Sequence, residues 1–265
     1  MSDTVLLRRD GVVATLTLNR PEALNTLDLA MIDALVARTA EVAADDSLRV
    51  VVLRGAGKHF MAGGDIHTFA RGLAQPPPER RMAFQRLVER VHAAVEALHR
   101  MPHPVVCVVH GAVAGIGLSF MNACDLVVAS SDAYFTSAYR HIALTPDGGG
   151  SWTLPRLVGM RKAMEILLLS ERFDAAEAQR LGLVNRVVAP DALEAAAAAV
   201  VASLAASPVL ALRNAKRLVR ESFSRTLSEQ LQAEAVSFGQ CSATEDFAEG
   251  IGAFVQKRPP RFGGG

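Results

Sequence analysis

The chain has 265 residues, of which 50% are hydrophobic and 21% charged, with a formal net charge of +1. That length supports a large core in one or two domains, and the composition is that of an ordinary globular protein. So small a net charge excludes a broad nucleic-acid-binding face and a polybasic membrane patch.

Residues 1–10 hold two arginines and two aspartates with no sustained apolar core, so no secretory signal is expected there. Residues 12–18 alternate as a strand, ended by Asn19-Arg20-Pro21. A short polar loop, 22–26, leads to Asp28, placed as N-cap of a helix carrying Leu29, Ile32, Leu35, Val36 and Val42 near helical spacing. Residues 49–53 are a fully buried strand.

Phe60-Met-Ala-Gly-Gly-Asp-Ile66 then forms a glycine turn between a strand and a helix-like segment. Asp65 suits either a cap on that turn or helix, or a catalytic carboxylate; the cap is favoured. Residues 71–81, with Pro76-Pro77-Pro78, are expected to be a mobile loop. Phe84, Leu87, Val88, Val91, Val95 and Leu98 mark an amphipathic helix closed by Met101-Pro102. His92 and His99 on it are read as surface or boundary residues, since neither has a partner at metal-ligand spacing.

The apolar strand 105–109 enters His110-Gly-Ala-Val-Ala-Gly-Ile-Gly-Leu-Ser119, and 118–123 is a short buried helix. Strand, glycine turn and helix aim free backbone N–H groups at a negative charge, because a helix's first amides have no partner inside it. The alternative is a tight turn that holds nothing. Short strands follow at 126–129 and 133–136, then the glycine-rich loop 139–150 with Asp147 on its turn. Residues 160–169 form a helix, Asp174 caps another that stops at Gly182, and 184–188 is a strand. From Pro190 only helices are expected. The chain therefore divides into an α/β core, 1–190, and a helical region, 191–265.

The cysteines Cys107, Cys124 and Cys241 form no Cys-x-x-Cys pair, which favours buried thiols in a reducing compartment over disulfides or metal ligands. Residues 105–121 are broken by His110 and three glycines, and 195–206 are too few, so neither is read as a membrane span. The expectation is a cytoplasmic protein that uses no metal.

Taken in order, Asn19-Arg-Pro-Glu-Ala-Leu-Asn25, His59 to Ile66, Gly111 to Asp125, Pro146-Asp-Gly-Gly149, Leu181-Gly-Leu-Val-Asn-Arg-Val187 and the ending Phe254 to Phe262 resemble the enoyl-CoA hydratase/isomerase (crotonase) superfamily. The resemblance implies an α/β spiral of ββα units with a C-terminal helical trimerisation region, assembled as a homotrimer or dimer of trimers. It implies an acyl-CoA thioester substrate, with coenzyme A part of the substrate and no separate cofactor. It implies that the amides of Gly64 and Ile116 form an oxyanion hole. Each such donor contributes about a hundred- to a thousandfold in rate. It implies that Ala23, Leu24, Ala62, Asp65 and Ile66 hold coenzyme A, with Lys257 reaching its phosphates from a neighbouring subunit.

Hydratases of the superfamily use two glutamates; Ser119 and Tyr139 stand at those positions here, and both are expected to line the acyl pocket. His141 could join them but is read as a core histidine. Asp147 remains. An aspartate in this turn resembles that of members which move a double bond, where one group takes a proton and returns it two carbons away. A cap on the glycine turn is the plain alternative for Asp147. The expected activity is enoyl-CoA isomerisation. The alternatives are a hydratase with altered catalytic residues and an acyl-CoA-binding protein without chemistry.

Overall fold

The computed structural model describes residues 3–263. Strands β1 (Val5–Asp10) and β2 (Val13–Leu18) form an antiparallel hairpin, and β3 (Val50–Gly55) adds to β2 in parallel after helix α1 (Leu29–Ala43). Helices α2 (Ile66–Gly72) and α3 (Pro77–Arg100) lead to β4 (Val105–Val109), which pairs with β3. Then come β5 (Ala112–Ala114), α4 (Ile116–Ala123), β6 (Leu126–Ser130) and β7 (Tyr134–Thr136). Helix α5 (Gly150–Leu169), β8 (Phe173–Asp174), α6 (Ala175–Arg180) and β9 (Arg186–Val188) complete the sheets. Four helices follow: α7 (Leu193–Ala205), α8 (Val209–Glu221), α9 (Leu227–Ser242) and α10 (Glu245–Val255). The strand order is β1-β2-β3-β4-β6-β9 in the main sheet and β5-β7-β8 in a small second one.

The valine runs explain the central strands. A parallel strand covered on both faces needs apolar side chains at every position, and alternate residues point to opposite faces. Val51, Leu53, Val105, Cys107 and Val109 face a large core shared with Met31, Ile32 and Leu35 of α1 and Val91, Val95 and Leu98 of α3. Val50, Val52, Val106, Val108 and Val128 face the other way, onto Leu193 and Ala197 of α7.

Several expectations change. Strand β1 adds an element that the sequence pattern of residues 1–10 does not predict. The proline run is no loop: Pro76 is the N-cap of α3 and Pro77 its first residue. A proline there loses nothing, since the first amides of a helix have no acceptor anyway. Helix α5 begins ten residues before the expected one and is bent at Gly159 (φ 77, ψ 161). The division at residue 190 does not separate two packing units, because α7 closes the second face of the sheet. Helix α8 is also tied to the core. Lys216 and Arg220 pair with Asp125 at 2.6 and 2.8 Å, and Arg213 donates to the Leu48 carbonyl. Among the described residues no single helix is long and apolar enough to cross a membrane.

Candidate active site

The first glycine turn leaves β3 and runs beside β5. Phe60 N donates to His110 O (2.9 Å), Met61 N to Ala112 O (3.1 Å), and Ala114 N back to Met61 O (2.9 Å). Its other edge is held by Leu27, whose N donates to Gly63 O and whose carbonyl accepts from Asp65 N. These bonds use the Gly63 carbonyl and the Asp65 amide, and Gly64 N–H has no backbone acceptor among the described residues. The second turn follows β5. Gly115 takes φ 53 and ψ −123, a conformation open only to glycine, and Ile116 is the first residue of α4. The Ile116 amide therefore lies in the unpaired first turn. A Cβ at Gly115 would lie 3.5 Å from Gly63 Cα, so the two turns touch.

A third turn faces them. Asp147 accepts a 2.5 Å hydrogen bond at Oδ1 from the Tyr139 hydroxyl, and its own carbonyl accepts from Ser119 Oγ at 2.9 Å. The next amide, Gly148 N–H, donates to His92 Nε2 at 3.2 Å. Burial pushes the Asp147 carboxyl above its ordinary value, outweighing the Tyr139 hydrogen bond and the charge of His92, which pull it down. Burial, then the charge of Asp147, push the Tyr139 hydroxyl well above its own ordinary value, so it stays a donor.

Gly64, Ile116, Tyr139 and Asp147 line one cavity of about 730 Å³. Its other walls are mainly apolar, from Leu27, Phe69, Phe84, Val88, Ile142 and Leu144. Among the described residues no lysine or arginine lines it, and Glu89, the one other carboxylate among them there, is exposed. Ala62 and Ile66 also line it, and Ala62 N donates to Leu24 O, which brings Leu24 and Ala23 beside the mouth.

The remaining candidates fall elsewhere. Ser119 is buried behind the third turn and does not line the cavity. Asp65 caps α2 by accepting from Thr68 N and pairs with Arg20 at 3.0 Å. Burial alone would raise its carboxyl; the Thr68 amide and the Arg20 guanidinium outweigh it and hold it below its ordinary value. Lys257 is exposed beyond α10 and outside the cavity of its own chain. His92, read as a surface or boundary residue, lines the cavity, and so does His141, which is exposed rather than in the core. His92 was legible only as a histidine on an amphipathic face. What it touches is 56 residues away in the chain.

A family model described as enoyl-CoA hydratase/isomerase matches residues 8–265. The chain belongs to the enoyl-CoA hydratase/isomerase family. It is 34% identical over 264 residues to the 1,2-epoxyphenylacetyl-CoA isomerase of Escherichia coli, covering 100% of each chain. It is 32% identical to the short-chain-enoyl-CoA hydratase of Clostridium acetobutylicum, covering 97% of this chain and 96% of that one. A crystal structure of an enoyl-CoA hydratase from Polaromonas sp. JS666 superposes with a TM-score of 0.90 at 34% identity, covering 97% and 99% of the two chains. Family membership carries the crotonase fold and implies an acyl-CoA thioester substrate. Isomerases and hydratases both stand among these relatives.

Proposed function

We propose that this family member shifts a carbon–carbon double bond in an enoyl-CoA, with Asp147 as the proton shuttle. The observation that supports it is the placement of Asp147. Its carboxyl lines the same cavity as two touching glycine turns with unpaired amides, and Ser119 and Tyr139, which the family resemblance aligns with the hydratase glutamates, carry no carboxylate. With the thioester oxygen on the amides of Gly64 and Ile116, removal of a C2 proton from a 3-enoyl-CoA gives a dienolate. The negative charge moves onto that oxygen, where fixed donors stabilise it. The proton goes to Asp147 and from there to C4, leaving a 2,3 double bond; nothing is added or lost. A carboxyl raised by burial is suited to both halves of the transfer near neutral pH. Hydration also needs a water held in place and activated, which the two-glutamate pair would do and Ser119 with Tyr139 does not.

Ala23, Leu24, Ala62 and Ile66 are proposed to hold coenzyme A at the cavity mouth, with Lys257 of a neighbouring subunit near its phosphates. Asp65 would act there through the α2 cap rather than by contact. A homotrimer or dimer of trimers is proposed on the large apolar side chains left uncovered on the helical region, Phe238 and Phe254 among them.

The test is Asp147→Asn beside the parent on 3-enoyl-CoA and 2-enoyl-CoA. The expected result is a parent that isomerises the first, and a variant slowed about a hundred- to ten-thousandfold. Equal rates in the two proteins would remove Asp147 from the mechanism. Hydration of 2-enoyl-CoA as the faster reaction would make the chain a hydratase. Binding of acyl-CoA without turnover would leave it a binding protein.

A further inference from the structure

The Asp147 carboxylate has two oxygens, and they are not equivalent. Oδ1 receives the Tyr139 hydroxyl at 2.5 Å, within the short range of O–H···O⁻ bonds. Oδ2 receives no hydrogen bond from another residue among those described. The backbone on both sides is held as well: Ser119 Oγ donates to the Asp147 carbonyl, and Gly148 N–H donates to His92 Nε2. The carboxyl can neither flip about its own bond nor swing with its turn without breaking one of these contacts.

We propose that Tyr139 is a positioning residue that leaves Oδ2 of Asp147 as the single oxygen that takes the proton from one carbon and returns it to the other. This rests on the isomerase reading above. The donor is permanent, because a buried tyrosine beside a carboxylate does not ionise at working pH. The groups facing Asp147 are Tyr139 from the turn after β7, Ser119 from α4 and His92 from α3; His141 and Glu89 stand farther out at exposed positions. Among the described residues, the other cavity-lining groups able to carry a proton are Tyr139, His92, His141 and Glu89, and none is hydrogen-bonded to Oδ2. A proton resting on Oδ2 therefore meets the dienolate before it meets solvent, and the same proton is delivered to C4.

The experiment follows deuterium. A 3-enoyl-CoA carrying deuterium at C2 is converted in ordinary water by the parent, Tyr139→Phe and Asp147→Asn, and the 2-enoyl-CoA product is read for deuterium at C4. The parent is expected to carry most of the label to C4. Tyr139→Phe is expected to keep its KM within about twofold and lose about ten- to a hundredfold in kcat, as a slightly misplaced catalytic group does. Its label retention falls, and the acid limb of its kcat/KM profile moves to higher pH, because a hydrogen bond favouring the ionised carboxyl is gone. Complete washout in the parent overturns the proposal with no variant needed. A Tyr139→Phe protein with parent-like retention and pH profile, beside an inactive Asp147→Asn, overturns the role of Tyr139 alone. An active Asp147→Asn overturns the shuttle and with it this inference.

Discussion

Replacing Gly148 by alanine tests how firmly the Asp147 turn is seated against α4. Gly148 has φ +56, and a left-handed conformation costs an alanine about 1–2 kcal/mol. Its Cβ would come 2.3 Å from Ile116 Cδ1 and 2.9 Å from Ser119 Cβ, well inside the roughly 3.5–4.0 Å of a good carbon–carbon contact. The Ile116 methyl can turn aside, but Ser119 Cβ is fixed to a buried helix, so overpacking adds about 1–3 kcal/mol. The sum is about 2–5 kcal/mol, which at about 2–4 °C per kcal/mol lowers Tm by about 4–20 °C. The neighbour is the control. Gly149 has φ +76 but nothing within 4 Å of its Cβ position, so Gly149→Ala loses only the backbone cost of about 1–2 kcal/mol. Urea unfolding of both variants, with enoyl-CoA turnover beside it, separates the two effects. Gly148→Ala is expected to be the less stable by about 1–3 kcal/mol and the slower, since its strain falls between Asp147 and Ile116. Equal losses in the two variants would refute the packing account and leave only the backbone term.

Asp65→Ala removes the α2 cap and one of the two carboxylates that pair with Arg20, so stability falls at pH 7 by about 1 kcal/mol for the cap, and by more with the ion pair. Because the folded Asp65 carboxyl lies below its unfolded value, this contribution is complete above about pH 4 and is lost as pH falls through the folded value. The Tm difference between parent and variant should therefore shrink from pH 7 to pH 2; a constant difference refutes the ion-pair part. Asp125→Asn leaves Lys216 and Arg220 largely buried without their counter-charge and is expected to cost about 3 kcal/mol in urea unfolding. A loss below about 1 kcal/mol would show that solvent screens the cluster. Light scattering should give the mass of three or six chains, and Phe238→Asp or Phe254→Asp should lower it. A monomeric parent would refute the proposed assembly.

The parts of this fold that were plain in the sequence are those where local chemistry and tertiary packing agree. Asp28 and Asp174 cap the helices they precede, each side chain accepting from the amide three residues on. The valine runs at 50–53 and 105–109 are strands because both of their faces are covered. Disagreement comes where one signal has two outcomes. Three prolines in a row suggest a loop, yet at the start of α3 they are simply compatible with a helix. The alanine-rich stretch after 190 looked like part of a separate tail, but small side chains are also what lets α7 lie close on a sheet of valines. For the site, the glycine turns and Asp147 were legible because their spacing is local. The contacts of His92 and Ser119 were not, since both partners lie on a turn far along the chain.

The seating of α7 on the sheet has a consequence for the order in which the molecule is made. Strand β4 delivers the chain to the second glycine turn, and Val106 and Val108 on its far side stay wet until Leu193 and Ala197 have been synthesised. A nascent chain that has passed Asp147 already holds every residue of the proposed shuttle, but not the cover that keeps β4 in place. Ribosome-bound chains ending near residue 190 should accordingly be protease-sensitive and silent, and longer chains should gain resistance once α7 has emerged.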